Sequence, residues 1–233
     1  MILNGNVTAV ILAAGSGSRM RLDVTKQKLI INDVSVLQRT AKAFELCDDI
    51  DSIVMVVRSD EVEFAKSQLS DFKKVKKIIV GGACRAESAK LGFLSIDWGC
   101  DIVAFHDCAR CFITGEMIKT VICDAKVYGA ATASYRVTDT VKSVDCDGNI
   151  VSTIDRNNLY LVQTPQAFKY NLYKKAIERV DVCDASITDD NMLLERIGVK
   201  VHCTDTGKEN VKLTVKEDLD YAEFLLSGEK YNV

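Results

Sequence analysis

Hydrophobic positions along this chain alternate between short continuous runs and helical stripes. Apolar, β-branched runs fall at residues 7–12, 53–57, 78–80, 102–105 and 130–134. Each has the length and continuity of a strand buried on both faces. Between them Val36, Leu37, Thr40, Ala41 and Phe44 share one face at a 3.6-residue period. Ala89, Leu91 and Leu94 belong to a second helix, and Ile118, Val121 and Ile122 to a third. Alternating strands and helices predict an α/β fold, a mostly parallel twisted sheet with helices on both faces. Ligands of such sheets bind at the carboxyl ends of the strands.

The regularity breaks after Ser134. Val141-Lys142-Ser143-Val144 and Ile150-Val151-Ser152-Thr153-Ile154 alternate in polarity around Asp147-Gly148-Asn149, a hairpin signal. A lone hairpin buries too little to stand by itself. A second subunit is the economical cover for it, and folding back onto its own domain is the alternative. Near the end, Thr214-Val215-Lys216-Glu217 matches a capping box introducing a helix with Leu219, Tyr221, Ala222 and Leu225. The single proline is Pro165, and there are no repeats or low-complexity tracts.

Composition narrows the class. With 233 residues, 48% of them hydrophobic, the chain suits one globular domain with a full core. The formal net charge is -3, and the only dense basic patch is Lys73, Lys74, Lys76 and Lys77. That patch is too narrow for a nucleic-acid face and reads as a solvated helix end or strand approach. No apolar run reaches the ~20 residues that cross a bilayer, and residues 1–6 are too short and uncharged for a signal peptide. A soluble, cytoplasmic protein without membrane or nucleic-acid partners is expected. The nine cysteines are odd in number and scattered, so reduced, mostly buried thiols are expected. Cys108 and Cys111 have C-x-x-C spacing without a second pair to complete a zinc site, leaving a redox switch there as the alternative.

The candidate chemistry begins where the first run breaks into Ala13-Ala14-Gly15-Ser16-Gly17-Ser18-Arg19-Met20, with Lys26 close behind. Glycines let a ligand approach the backbone, and two cations beside free N–H groups suit a polyphosphate. Met20 stands where a dinucleotide fingerprint needs its third glycine, and the Gly-Lys-Ser/Thr ending of a P-loop is missing. In Phe105-His106-Asp107-Cys108-Ala109-Arg110, Asp107 falls at a strand's carboxyl end, where it could ligate a metal, hold a sugar hydroxyl or cap the next helix. His106 reads as a hydrogen-bonded structural residue rather than a catalyst. Gly81-Gly82-Ala83-Cys84-Arg85-Ala86-Glu87-Ser88 is a second glycine turn, open to a flat base or an ordinary cap. Hydroxyls and cations at Thr138-Asp139-Thr140, Asp155-Arg156, Thr188-Asp189-Asp190 and Asn210-Val211-Lys212 could grip a second phosphate.

Taken in order, these segments resemble the cytidylyltransferases that act on 2-C-methyl-D-erythritol 4-phosphate. Leu12 to Met20, Lys26-Gln27, Gly81-Gly82-x-x-Arg85-x-x-Ser88, His106-Asp107-x-Ala109-Arg110 and Asp139-Thr140-Val141-Lys142 carry the likeness. So do Asp155-Arg156, Gln163-Thr164-Pro165-Gln166-Ala167-Phe168, Thr188-Asp189 and Asn210-Val211-Lys212-Leu213-Thr214, collinear over nearly the whole chain. The resemblance implies a Rossmann-like α/β fold with a projecting β-hairpin arm. Residues 1–233 would form one nucleotidyltransferase domain, with a dimerisation arm at about 136–160 and a homodimer built through it. CTP would rest on the backbone of Ala13, Ala14 and Gly15, with Gly82 and Ser88 at the cytosine and Ala83 beside them. Arg19, Lys26 and Lys212 would be the catalytic cations at the phosphates. Asp107, Arg110, Thr140 and Thr188 would position the sugar phosphate, with Arg156 reaching it from the partner subunit. Mg²⁺ would ride mainly on phosphate oxygens and water without a dedicated protein site, Asp107 being the one carboxylate in question.

The reaction implied is cytidylyl transfer from CTP to the erythritol phosphate with release of pyrophosphate. Three positions depart from the resemblance: Thr25, Cys111 and Arg136 stand where prolines are usual. Thr25 would leave Lys26 less preorganised, because proline restricts unfolded chains by about 0.4–1 kcal/mol, so an active but slower enzyme is expected. The alternatives are a ribitol 5-phosphate cytidylyltransferase, disfavoured by Ala14 and Cys108-Ala109, and a non-catalytic sugar-nucleotide-binding relative.

Overall fold

The computed structural model describes residues 5–15 and 24–226. In chain order the elements run from β1 (Val7–Ala13) through β2 (Ile30–Ile31), β3 (Val34–Ser35), α1 (Val36–Glu45) and β4 (Ser52–Val57) to α2 (Val62–Gln68) and β5 (Val75–Val80). They continue with α3 (Arg85–Leu94), β6 (Ile102–Asp107), α4 (Gly115–Tyr128) and β7 (Ala130–Arg136). The last third holds β8 (Val141–Val144), β9 (Ile150–Ile154), β10 (Tyr160–Lys169), α5 (Tyr170–Arg179), α6 (Asp190–Arg196), β11 (His202–Asp205) and α7 (Glu217–Leu226).

Seven strands make the central sheet in the order β11-β7-β10-β6-β1-β4-β5. All neighbours are parallel except β10, which runs antiparallel to both β6 and β7. The period of two is visible in the packing. Ala9, Ile11, Ile53 and Met55 face one core cluster, while Val10, Val54 and Val56 face the other. The first cluster is closed by Leu37, Ala41 and Phe44 of α1, Ile118 and Val121 of α4, and Ala222 of α7. The second is closed by Ala89 and Phe93 of α3, Tyr173 and Ala176 of α5, and Leu193 of α6. The sheet therefore carries helices on both faces, as the alternation predicts.

Several boundaries move. β5 starts at Val75 rather than residue 78, so Lys76 and Lys77 lie within an edge strand, where lysines discourage further strand pairing. β6 runs on to Asp107 and delivers its carboxylate at the strand end. In α3 the buried face is Ala86, Ser88, Ala89, Gly92 and Phe93, whereas Leu91 and Leu94 are exposed. The capping box at Thr214 takes another form. Asp218, not Glu217, accepts the backbone N–H groups of Thr214 and Val215, and the Thr214 hydroxyl turns to the Lys212 carbonyl. The expectation of mostly buried thiols also needs correcting. Cys47, Cys108 and Cys111 are buried, but Cys84, Cys123, Cys146, Cys183 and Cys203 are exposed. Burial pushes the Cys108 thiol far up and Cys111 to about 12, which leaves this C-x-x-C pair without the thiolate that redox exchange needs.

The hairpin forms where expected. β8 and β9 pair as a two-stranded sheet separate from the main one, and every residue of β9 is exposed. Asp145 ties the turn by accepting the N–H groups of Asp147 and Asn149 at 3.0 and 2.8 Å. Gly148 takes a φ of 84°, a value that side chains resist.

Gly92 sets how closely α3 can approach β1. A Cβ there would fall 2.4 Å from Val10 Cγ1 and 3.0 Å from Val56 Cγ2, both fully buried. Gly92→Ala should therefore lower stability by about 1–3 kcal/mol through overpacking, read as a lower urea midpoint. An unchanged midpoint would show that the helix can lift without cost.

Candidate active site

The strand order reverses between β4 and β6, which flank β1 on opposite sides. At this point the carboxyl ends of β1, β4, β5 and β6 open onto a cavity of about 620 Å³, the location that the sheet geometry favours for a ligand. Its floor is Ala13, Ala14 and Gly15. Its far wall is the turn from Gly81 to Arg85. These walls touch: a Cβ on Gly81 would lie 2.5 Å from Ala14 Cβ, so only glycine allows the two loops to meet. Ser88, the buried residue one turn into α3, accepts the Gly82 N–H at 3.1 Å and donates to the Cys84 carbonyl at 2.9 Å. Glu87 accepts the Ala83 N–H at 2.6 Å. The turn is thus held rigid by its own helix.

Lys26 and Gln27 close the near side. Lys26 donates to the carbonyls of Leu213 and Thr214 at 2.8 and 3.3 Å, tying its turn to the segment that bears Lys212. Gln27 donates to the Ala13 carbonyl and, at 3.1 Å, to that of Gly15. The floor backbone is therefore buttressed from below by a side-chain amide.

The strongest electrostatic feature is Asp107. Oδ1 accepts from Arg85 Nε at 3.0 Å and Oδ2 from Lys212 Nζ at 2.6 Å. Burial opposes its ionisation, but the charges of Arg85 and Lys212 outweigh that cost and hold its carboxyl well below the usual range. Arg85 also donates through Nη1 to Asp190 at 2.7 Å. Asp190 is fully buried, accepts from the Tyr173 hydroxyl at 3.0 Å, and donates its N–H to Gln166. Burial pushes the Asp190 carboxyl upward, against the pull of Arg85.

A second cavity of about 280 Å³ adjoins the first and shares Arg85, Asp107 and Lys212 with it. Arg110, Thr164 and Thr188 are among its other lining residues. Arg110 is fixed by donating to the Asn210 carbonyl at 2.8 Å, and Asn210 donates to the Thr164 carbonyl at 2.7 Å. Behind this wall His106 is fully buried between the Thr164 hydroxyl and the Arg110 carbonyl. Burial drags its imidazole down to about 3. It remains neutral near pH 7 and is structural, as the sequence suggests.

The candidate residues divide three ways. Ala13, Ala14, Gly15, Lys26, Gly82, Ala83, Ser88, Asp107 and Lys212 line the first cavity, and Arg110 and Thr188 line the second. Thr140 and Arg156 line neither; both are exposed on the arm, where Arg156 donates to the Thr138 carbonyl. Arg19 lies outside the described residues. Arg85, Gln166 and Asp190 were not singled out as site residues by the sequence, although Arg85 and Gln166 stand inside its motifs. The signal was present in the paired acids of Thr188-Asp189-Asp190, whose partner lies 105 residues away in the chain. Among the described residues, no group of three or more His, Cys, Asp or Glu side chains could hold a metal ion. Asp107 is the buried carboxylate common to both cavities. A cation carried by a polyphosphate and needing one or two protein oxygens fits this donor set; a dedicated protein cage does not.

Comparison with known proteins places the chain. A family profile described as 2-C-methyl-D-erythritol 4-phosphate cytidylyltransferase matches residues 7–228. A protein of that name from Clostridium perfringens (strain SM101 / Type A) is 41% identical over 222 residues, covering 94% of this chain and 98% of the relative. One from Alkaliphilus oremlandii is 38% identical, with 94% of each covered. The crystal structure of 4-diphosphocytidyl-2C-methyl-D-erythritol synthase from Anaerococcus prevotii superposes with a TM-score of 0.85 at 28% identity, covering 96% of this chain and 99% of that one.

Thr25 behaves differently from the expectation of a slackened loop. Its φ of -71° is one that a proline ring would impose. Its hydroxyl donates to Glu61, whose side chain is wholly buried. A hydrogen bond has taken the place of a ring in holding the approach to Lys26. Thr25→Val should leave a Glu61 oxygen unpaired and cost about 1–3 kcal/mol, measured by urea unfolding. No loss would mean that Lys28, 3.9 Å from Glu61, satisfies the carboxylate unaided.

Proposed function

Because the chain belongs to the 2-C-methyl-D-erythritol 4-phosphate cytidylyltransferase family, we propose that each wall of its double cavity has one part in the transfer. The protein is a nucleotidyltransferase that moves the cytidylyl group of CTP onto 2-C-methyl-D-erythritol 4-phosphate. The product is a CDP-linked methylerythritol, a step of isoprenoid precursor biosynthesis, and pyrophosphate leaves. The ribitol phosphate and non-catalytic alternatives give way to this substrate.

The observation that carries the assignment of walls is the pair of adjoining cavities with Arg85, Asp107 and Lys212 between them. The larger takes CTP. Its cytosine lies against Gly82, Ala83 and Ser88, and its phosphates run over the backbone of Ala13, Ala14 and Gly15. The smaller takes the sugar phosphate, positioned by Asp107, Arg110 and Thr188. Its phosphate oxygen attacks the α-phosphorus in line with the departing pyrophosphate. A phosphate monoester loses its second proton near pH ~6, so the nucleophile needs no strong base. Neutral, buried His106 supplies none. Catalysis then rests on position and charge. Lys26 and Lys212 stabilise negative charge gathering on the phosphates, and Arg19 is proposed to do the same. Asp107 would be the protein carboxylate to help hold a Mg²⁺ carried on the triphosphate, an ion that would neutralise part of the phosphate charge.

The remaining proposed residues belong to a second copy. Residues 1–233 are taken as one nucleotidyltransferase domain with a dimerisation arm at about 136–160. In support, Val144, Ile150, Val151 and Ile154 are apolar side chains that stay exposed among the described residues, on a ribbon separate from the main sheet. A homodimer would bury them and bring Thr140 and Arg156 to the partner's acceptor cavity. The protein is proposed to act in the cytoplasm; no helix among the described residues is long and apolar enough to cross a membrane.

The direct test is pyrophosphate release from CTP and Mg²⁺ with either polyol phosphate. Release with the erythritol phosphate is expected, and release only with ribitol 5-phosphate would overturn the substrate. Lys26→Ala should lower kcat by about tenfold or more with CTP binding less affected. Arg156→Ala should raise the KM for the sugar phosphate while that for CTP stays near its original value. Mixing the two variants should restore activity, since a hybrid dimer holds one intact composite site. A mixture no more active than its parts would place Arg156 in its own chain's site or outside catalysis.

A further inference from the structure

Arg85 lines the nucleotide cavity, the acceptor cavity and a third cavity of about 200 Å³ bounded by Cys183, Ile187 and Thr188. It is the first residue of α3, directly after the turn assigned to the cytosine. Its fork spans two segments distant in sequence. Nε meets Asp107 at the end of β6, and Nη1 meets Asp190 at the start of α6. Asp190 follows Thr188 by two residues, and the intervening Asp189 caps α6 by accepting the Met192 N–H at 3.1 Å. Asp189 also accepts from Gln166 at 2.8 Å and from Asn191 at 2.9 Å. The start of α6 is thus anchored on one side by β10 and on the other by Arg85.

A single point charge could neutralise either carboxylate, but only a planar guanidinium can hold both at fixed angles. We propose that Arg85 is a positioning residue that locks the acceptor segment 188–190 to the nucleotide wall, setting the distance between the two substrates. The inference rests on the assignment of donor and acceptor cavities above. In this role Arg85, although it lines both cavities, acts through the carboxylates it holds. Asp107 is aimed from one end of its guanidinium, and the Thr188 segment is held in place from the other. Loosening the bridge lets the acceptor wall drift while the turn assigned to the base keeps its shape through the Gly82–Ser88 and Ser88–Cys84 bonds, which do not involve Arg85. In-line attack is sensitive to such drift.

The experiment compares Arg85→Lys, Arg85→Met, Asp190→Asn and the double variant Arg85→Met/Asp190→Asn in the pyrophosphate assay, with a thermal melt for each. Arg85→Lys retains the charge and keeps the protein folded if Arg85→Met, which leaves Asp190 without a cation and Asp107 with Lys212 alone, does not. Each single variant should raise the KM for the sugar phosphate by about tenfold, with kcat lowered and the KM for CTP within about threefold. The double variant should be no worse than the poorer single one, because both changes cut the same link. Equal rises in both KM values, or effects that multiply in the double variant, would overturn the positioning role. So would melting temperatures that fall while the ratio of the two KM values stays fixed. Wild-type protein that releases no pyrophosphate from either polyol phosphate would instead overturn the assignment of the cavities.

Discussion

The site depends on one buried carboxylate held between two cations. Taking Asp107 out of water is costly, and an unpaired charge at that depth would not be tolerated. Arg85 and Lys212 make it possible from opposite sides, one from a helix start and one from an extended segment more than a hundred residues later. Neither cation is spent on Asp107 alone. Arg85 continues to Asp190, and the chain bearing Lys212 is pinned by Lys26 through the Leu213 and Thr214 carbonyls. Five parts of the sequence that share no local structure are thereby fixed to one another around a single pair of oxygens.

The parallel half of the fold was legible because its physics is local. Strands such as β1 and β4 are buried on both faces and read as unbroken apolar runs, while the amphipathic stripe of α1 repeats at its own period. Asp147 and Gly148 mark a turn that needs positive φ. The antiparallel half was harder to read. β10 contains Thr164 and Gln166, polar residues buried because they answer His106, Asn210, Asp189 and Asp190 across the site. A strand whose inward side is a hydrogen-bond network does not resemble a hydrophobic run. Its register also shifts between Val162 and Gln166, which blurs any alternation. The site was legible in its motifs but not in its wiring. Arg85 could be quoted from the sequence, yet its partners could not, since no spacing rule links it to Asp107 and Asp190.

Thr25 shows how a substitution can look like a loss in sequence and not in structure. A ring restrains the unfolded chain, whereas a hydroxyl bound to a buried carboxylate acts only in the folded one. Both hold the backbone at nearly the same angle. Glu61 supplies the other half of the arrangement, and the two positions have to be read together.

One reversed strand has a further consequence. Because β7 runs with β6 and β10 runs against both, the chain must leave β7 and re-enter β10 at the carboxyl end of the sheet, onto which the cavities open. Whatever is inserted between them emerges at the mouth of the pocket, whatever its length or shape. The polarity of β10 thus makes this connection a part of the entrance whose length and shape are independent of the strand order beneath it.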